Sequence, residues 1–232
     1  MRRLTRSVSP HPDHIPLAPS SAANGYHDAM TARSPHLPRE SAIDRGSGLI
    51  RGARYVPSPN FDERPPGVQP DLIVVHGISL PPDEYGGPWI DRLFTNTLPA
   101  DTHPYFQQVD GLRVSSHILI RRSGECVQYV PLHLRAWHAG ASCYEGRERC
   151  NDFSIGIELE GSDTVPYEPA QYRALAQLIL DACGTYETLS TSRLVGHSDI
   201  APGRKTDPGP AFDWPRLRAL LNALAPPASA GV

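Results

Sequence analysis

Apolar and polar positions fall into two regimes along the chain. Residues 1 to about 43 alternate prolines, serines, histidines and single charges, as in RRLTRSVSPHPDHIPLAPSSAANGYHD, with neither a strand nor a helix period. Such a segment buries too little apolar surface to offset the entropy of ordering it. Residues 1–45 are therefore expected to form a disordered extension, followed by one domain over 46–225 and a short tail over 226–232. Arg2-Arg3 lacks the apolar segment that an export signal needs, and the true start is expected nearer Met30 unless the tail is a disordered extension.

From there periodicity takes over. YVPSPNFDERPP at 55–66 reads as an extended, proline-rich lead-in, and LIVV at 72–75 as a buried central strand running into His76-Gly77. Residues 88–94 predict one or two helical turns with a packing stripe of Trp89, Ile90, Leu93 and Phe94, before a long loop over 95–112. VSSHILIR at 114–121 alternates as a strand, with His117, Leu119 and Arg121 on one face and Ser116, Ile118 and Ile120 on the other. Ser123-Gly124 turns it into a hairpin with residues 126–130, and 142–151 reads as a polar loop. FSIGIELE at 153–160 is the clearest strand. Phe153, Ile155, Ile157 and Leu159 make an apolar face, while Ser154 and Gly156 leave space in front of Glu158 and Glu160, as on a cleft floor bearing an acid or base.

Pro169 opens an amphipathic helix over 168–185 with Leu175, Leu178, Ile179 and Ala182 at helical spacing and Gly184 at its end. Another strand spans 193–197. A last helix starts at Asp213, with Leu217, Leu220, Leu221 and Leu224 on one face and Pro226-Pro227 as its stop. The sum is an α/β (α+β mixed) single domain with one central mixed sheet flanked by helices.

Charge and composition narrow the partners. A net charge of −3 without a basic stripe argues against nucleic acid, and no apolar run is long enough to span a membrane. The cysteines Cys126, Cys143, Cys150 and Cys183 form no CxxC pair and are expected to be reduced thiols; Cys143 and Cys150 are close enough in sequence to bridge in an oxidising compartment.

The chemistry gathers around LVGHSDIAPGRKTDPGPAFDW, a loop whose path prolines and glycines restrict. His76 and His197 each end an apolar strand before a turn, and Asp207 lies in the loop. Two imidazoles and a carboxylate, with water in the fourth position, are the ligand set of a catalytic Zn²⁺. Glu158 is placed to act as the base for the water, and Lys205 as the cation beside a developing oxyanion. No GxSxG elbow is present, and the GRKT stretch lacks the spacing of a phosphate loop.

The stretches ARYVPSPNFDERP, LIVVHGISLPP, GGPWIDRLF, HPYF, LRVSSHILIRR, VQYVPLHLRAWHAG, GRERCNDFSIGIELEG and GHSDIAPGRKTDPGPAFDW, which together cover about 51–221, resemble the AmpD-type 1,6-anhydro-N-acetylmuramyl-L-alanine amidases. These sit within the wider amidase-2 and peptidoglycan-recognition-protein group. The resemblance implies a zinc hydrolase that cuts the bond between a muramyl lactyl group and L-alanine in a muropeptide, in the cytoplasm, as a monomer. It places the metal on His76, His197 and Asp207 and catalysis on Glu158 and Lys205. It also implies that Tyr105, His117, Trp137 and His138 contact substrate. Gly77 departs from the asparagine usual after the first ligand, which implies one substrate hydrogen bond fewer. Two other readings are an exported amidase acting on intact wall and a peptidoglycan-binding module without activity; the complete ligand set argues against the second.

Overall fold

The computed structural model describes residues 42–225. The expected disorder before residue 42, the start at Met30 and the tail over 226–232 lie outside the described residues. The fold begins slightly ahead of the expected boundary at 46. Ile43 is buried in the core and bridges Ile50, and the Arg45 guanidinium donates to the carbonyl of Thr185 at 2.5 Å.

In chain order the strands are β1 (Arg54–Tyr55), β2 (Phe61–Asp62), β3 (Leu72–Ile78), β4 (Ile118–Ile120), β5 (Cys126–Gln128), β6 (Arg135–Ala136), β7 (Cys143–Tyr144), β8 (Arg147–Glu148), β9 (Ser154–Glu160) and β10 (Leu194–Gly196). The helices are α1 (Trp89–Phe94), α2 (Phe106–Val109), α3 (Pro169–Thr185), α4 (His197–Ile200) and α5 (Trp214–Leu224). Six strands make the central sheet in the order β1-β5-β4-β9-β3-β10. It is mixed, as expected: β10, β3, β9 and β4 run parallel, and β5 returns antiparallel through the Ser123-Gly124 turn, where Gly124 has φ +90°.

Strand alternation sorts the core. Ile73, Val75, Ile118, Ile120, Ile155, Ile157 and Leu159 pack beneath α3 and α5, against Leu175, Ile179, Leu217 and Leu221. On the opposite face Leu72 and Val74 meet Ala139, Cys150, Phe153 and Ile200, and Leu119 and Val127 meet Ile90, Phe94 and Phe106. Phe153 therefore sits across the sheet from its expected partners Ile155 and Ile157, because the strand begins one residue later, at Ser154. Leu224 also departs from expectation: Leu217 and Leu221 are buried, but Leu224 is 45% exposed at the last turn of α5.

The helix ends follow their sequence signals. Gln171 Oε1 accepts from the Glu168 amide, and Gln171 Nε2 donates to the carbonyls of Ile120 and Glu160, tying α3 to β4 and β9. The Asp213 carboxylate caps α5 by accepting from the Arg216 amide at 2.9 Å. Two stretches read as loops contain short elements. One helical turn, α2, interrupts 95–112, and β7 and β8 form a hairpin inside 142–151. Its turn residues Glu145 and Gly146 both have positive φ, as a type I′ turn requires; Glu in place of the usual Asn or Asp hid that turn.

Candidate metal centre and its cleft

Parallel pairing of β3 with β9 sets His76 directly beside Glu158. Both side chains leave the same face of the sheet, on the side away from α3. β10 pairs with the other edge of β3 and ends at Gly196, so His197, the first residue of α4, emerges next to His76. The following loop folds back: the Lys205 amide donates to the Ala201 carbonyl, and the Ser198 amide donates to the carbonyl of Asp207. Asp207 is thereby brought back beside the start of α4.

His76 Nδ1, His197 Nδ1 and Asp207 Oδ2 converge. The separations are 2.9 Å between the two nitrogens, 3.2 Å from His76 to Asp207 and 3.1 Å from His197 to Asp207. Two ligand atoms, each at about 2.0–2.1 Å from one tetrahedral ion, stand about 3.3 Å apart, so the three distances suit a single small cation. Among the described residues this is the one group of histidine, cysteine and acidic side chains placed to hold a metal ion. His197 Nε2 donates to the Ala139 carbonyl at 3.1 Å, which leaves its Nδ1 lone pair facing the centre.

Electrostatics fit the same reading. Burial lowers His76 to about 4, with His197 adding to the effect against the opposing pull of Asp207. A ligand imidazole must be neutral, and this one is kept so. Burial raises the Asp207 carboxyl, but the hydrogen bonds with His197 and His76 outweigh it and hold the group well below the usual carboxylate range. Glu158 goes the other way: burial first, then the negative charge of Asp207, push it well above that range, and Lys205 draws it partly back. Glu158 is 8% exposed, and its Oε2 has no hydrogen-bond partner among the described residues. An unmet acceptor at this position costs about 1–3 kcal/mol unless a water or a ligand group fills it.

These groups floor a cleft of about 720 Å³. Leu80, Leu93, Leu112 and Val114 form part of an apolar wall, and Lys205 stands exposed on the polar side. Tyr105, which precedes α2, and His138 also line it. His117 and Trp137 do not. His117 is fully buried: its Nδ1 accepts from the Gly156 amide at 3.0 Å, its Nε2 donates to the Leu134 carbonyl at 3.0 Å, and burial lowers its pKa to about 3. Trp137 donates its indole N–H to Asp62 at 3.0 Å.

The expected open floor along β9 is open only at Glu158. The His138 ring fills the space above Gly156, where an added Cβ would come within 2.4 Å of it, and His138 Nε2 bonds to Ser154. Glu160 is 2% exposed and committed elsewhere, to Arg121 at 3.1 Å and to the amides of Gly86 and Arg122. At Gly77 an added Cβ would lie 2.2 Å from the Tyr167 hydroxyl, which donates to the Pro208 carbonyl beside Asp207. Sequence reasoning missed Asn151 and Arg204. Asn151 Oδ1 accepts the amides of His138 and Ala139, and Arg204 donates to the carbonyls of Ala139 and Ala141. No local pattern announces either, because each acts on backbone brought near by the fold.

The four cysteines are free thiols, and no helix among the described residues is long and apolar enough to cross a membrane. The Amidase_2 family profile, N-acetylmuramoyl-L-alanine amidase, matches residues 66–210. The chain is 60% identical over 174 residues to the 1,6-anhydro-N-acetylmuramyl-L-alanine amidase AmpD of Salmonella typhimurium, covering 75% of this chain and 92% of the relative. It is 59% identical over 175 residues to the AmpD of Escherichia coli, covering 75% and 95%. Its fold matches the crystal structure of a Se-Met AmpD derivative with a TM-score of 0.75 at 58% identity, over 77% of this chain and 98% of that one. The solution structure of Citrobacter freundii AmpD matches with a TM-score of 0.57 at 57% identity, over 78% and 95%. Matched along most of its length by the profile and by these relatives, the chain belongs to the amidase-2 family of N-acetylmuramoyl-L-alanine amidases.

Proposed function

We propose that the chain is a zinc-dependent amidase that hydrolyses the bond between the lactyl group of muramic acid and L-alanine in 1,6-anhydro-muropeptides, as the names of its relatives indicate for them. The observation that carries the reading is the convergence of His76, His197 and Asp207 within 3.2 Å, beside a buried Glu158 with an unmet oxygen. Two imidazoles and a carboxylate suit zinc. When bound, zinc supplies positive charge that acidifies a water and polarises the scissile carbonyl.

The side chains do the rest. Glu158 takes a proton from the attacking water at its free Oε2 and passes it to the nitrogen of the departing L-alanine. A carboxyl held above its usual pKa is a better donor in that second step. Lys205, on the same cleft, offers its ammonium to the oxyanion that develops on the carbonyl. Tyr105 and the apolar wall face the sugar and peptide, and the enzyme works as a cytoplasmic monomer in recycling of cell-wall fragments.

Metal analysis of the purified protein, with mass spectrometry of products from anhydro-muropeptide and from intact sacculi side by side, tests this. The expected result is about one zinc per chain and release of peptide from the anhydro substrate, with Asp207→Ala losing both metal and turnover. Zinc-loaded protein that frees no peptide from either substrate would make this a binding module instead. Preference for sacculi would move its site of action outside the cytoplasm.

A further inference from the structure

Among the described residues no carbonyl accepts from the far side of His76. Its Nε2 meets a second imidazole, His138 Nδ1, at 2.9 Å, with the ring planes at 86°. His138 Nε2 lies 3.1 Å from Ser154 Oγ, and Ser154 Oγ lies 2.5 Å from the backbone carbonyl of Cys150. All three side chains are buried, and the His138 ring is bonded to an imidazole and a hydroxyl rather than to a carboxylate.

The protons in this chain can be read backward from its end. A carbonyl only accepts, so the Ser154 hydroxyl donates to Cys150. Ser154 Oγ is then the acceptor from His138, whose proton must be on Nε2. A neutral imidazole has one N–H, so His138 Nδ1 is bare and accepts from His76 Nε2. His76 Nδ1 is left without a proton, its lone pair facing His197 and Asp207. The backbone of one turn, Cys150–Asp152, thus dictates the tautomer of a side chain two imidazoles away.

We propose that His138 and Ser154 are positioning residues of the metal centre, fixing His76 in the one tautomer that can ligate. The reverse direction would put a proton on His76 Nδ1, where the ion belongs. His138 is held for this task from three sides. Gly156 leaves room for its ring, Ser154 takes its proton, and Asn151 Oδ1 binds its amide at 3.1 Å and that of Ala139 at 2.8 Å. Ala139 in turn supplies the carbonyl that orients His197. One anchored dipeptide, His138–Ala139, therefore sets both imidazoles, the first through a side chain and the second through a main-chain oxygen. Buried outer partners of this kind are worth about 10–100-fold in metal affinity.

The inference rests on the metal centre proposed above, but its test does not need turnover. Zinc affinity is measured by competition with a chromophoric chelator for wild type, Ser154→Ala, His138→Leu and His138→Gln. Long-range ¹H–¹⁵N NMR of the wild-type rings reads the tautomers directly. The expected result is affinity about 10–100-fold weaker in Ser154→Ala and His138→Leu. His138→Gln, which keeps an acceptor and a donor, should recover part of the loss. His76 and His138 should both be in the Nε2–H form. Wild-type affinity in Ser154→Ala, or a His138 ring protonated on Nδ1, overturns the proposal. If His138→Leu does not fold, Ser154→Ala and the NMR spectrum still decide. A wild type that binds no zinc counts against the amidase reading, whereas a wild type that binds zinc with unaffected variants counts against this one alone.

Discussion

On the α3 side of the sheet, Ile73, Val75, Ile155, Ile157 and Leu159 are at most 1% exposed; on the far side of the same two strands, His76 is 1% exposed, Ser154 0% and Glu160 2%. Burial alone does not separate the two faces. What differs is how burial is compensated. The apolar face needs only contact, which many arrangements of similar volume provide. The polar face needs a directed partner for each nitrogen and oxygen, and each partner excludes alternatives. Glu160 has Arg121, His117 has two backbone groups, and His76 has His138. Among the described residues Glu158 Oε2 alone on that face is left unmet, and it faces the cleft. The comparison teaches where to look for a reactive group on a buried polar face: at the atom that the fold declines to satisfy.

The contrast can be broken at several points. Replacing the unmet carboxylate has the largest expected effect. Glu158→Gln keeps zinc but lowers kcat by about 10²–10⁴-fold, the range for removal of a general acid–base group. Steady-state kinetics with metal analysis on the same sample checks it, and near-normal turnover would remove Glu158 from the chemistry. On the other face, Ile157→Ala should cost about 2–5 kcal/mol of stability in urea unfolding while turnover per folded molecule stays close to wild type. A large fall in turnover there would show that the two faces are not separable.

Acid should find the polar face first. The folded pKa of His117 is lowered to about 3, below its unfolded value near 6.5. The unfolded chain therefore binds a proton that the folded chain refuses. The stability from His117 is complete above pH 6.5 and is lost as pH falls toward 3, at on the order of 1 kcal/mol per pH unit. Glu158, raised in the fold, acts in the opposite sense, so the measurement belongs in the Glu158→Gln background, where His76 and His138, also lowered by burial, add to His117. Urea midpoints there should fall steadily from pH 7 to pH 4, and a flat profile contradicts the assignment. The smallest effect is expected outside both faces: Leu224→Ser, at a site 45% exposed, should change stability by less than about 0.5 kcal/mol in the same assay.

Much of this fold could be read from period alone. β3, β9, the β4–β5 hairpin, α3 and α5 carry long or clean patterns, and His76 and His197 could be picked out at strand ends, Glu158 on the small-residue face and Asp207 in the proline- and glycine-rich loop. The two-residue strands β1, β2, β6, β7 and β8 are too short to show a period and exist because a neighbour pairs with them. Expectation failed in an instructive way at Ser154 and Gly156. Small residues announce that something needs space, but not whether it is substrate or a side chain from elsewhere in the chain. Here His138 takes the space. For the same reason Glu160 resembled Glu158 in sequence, although Arg121 neutralises it. His117 and Trp137 were expected near substrate through their stretches, and their hydrogen bonds instead turn them toward β9 and Asp62.

The pairing of His76 with Glu158 on adjacent parallel strands has a consequence for how such an enzyme can change. Neighbouring strands lie about 4.7–4.9 Å apart because backbone hydrogen bonds hold them there. The span from His76, the proposed ligand, to Glu158, the proposed base, is thus a property of the ladder, indifferent to most side chains around it. The surrounding loops, which shape the groove, can lengthen, shorten or exchange residues without touching that span. New substrates can be admitted at the rim while the working distance below is handed down unchanged.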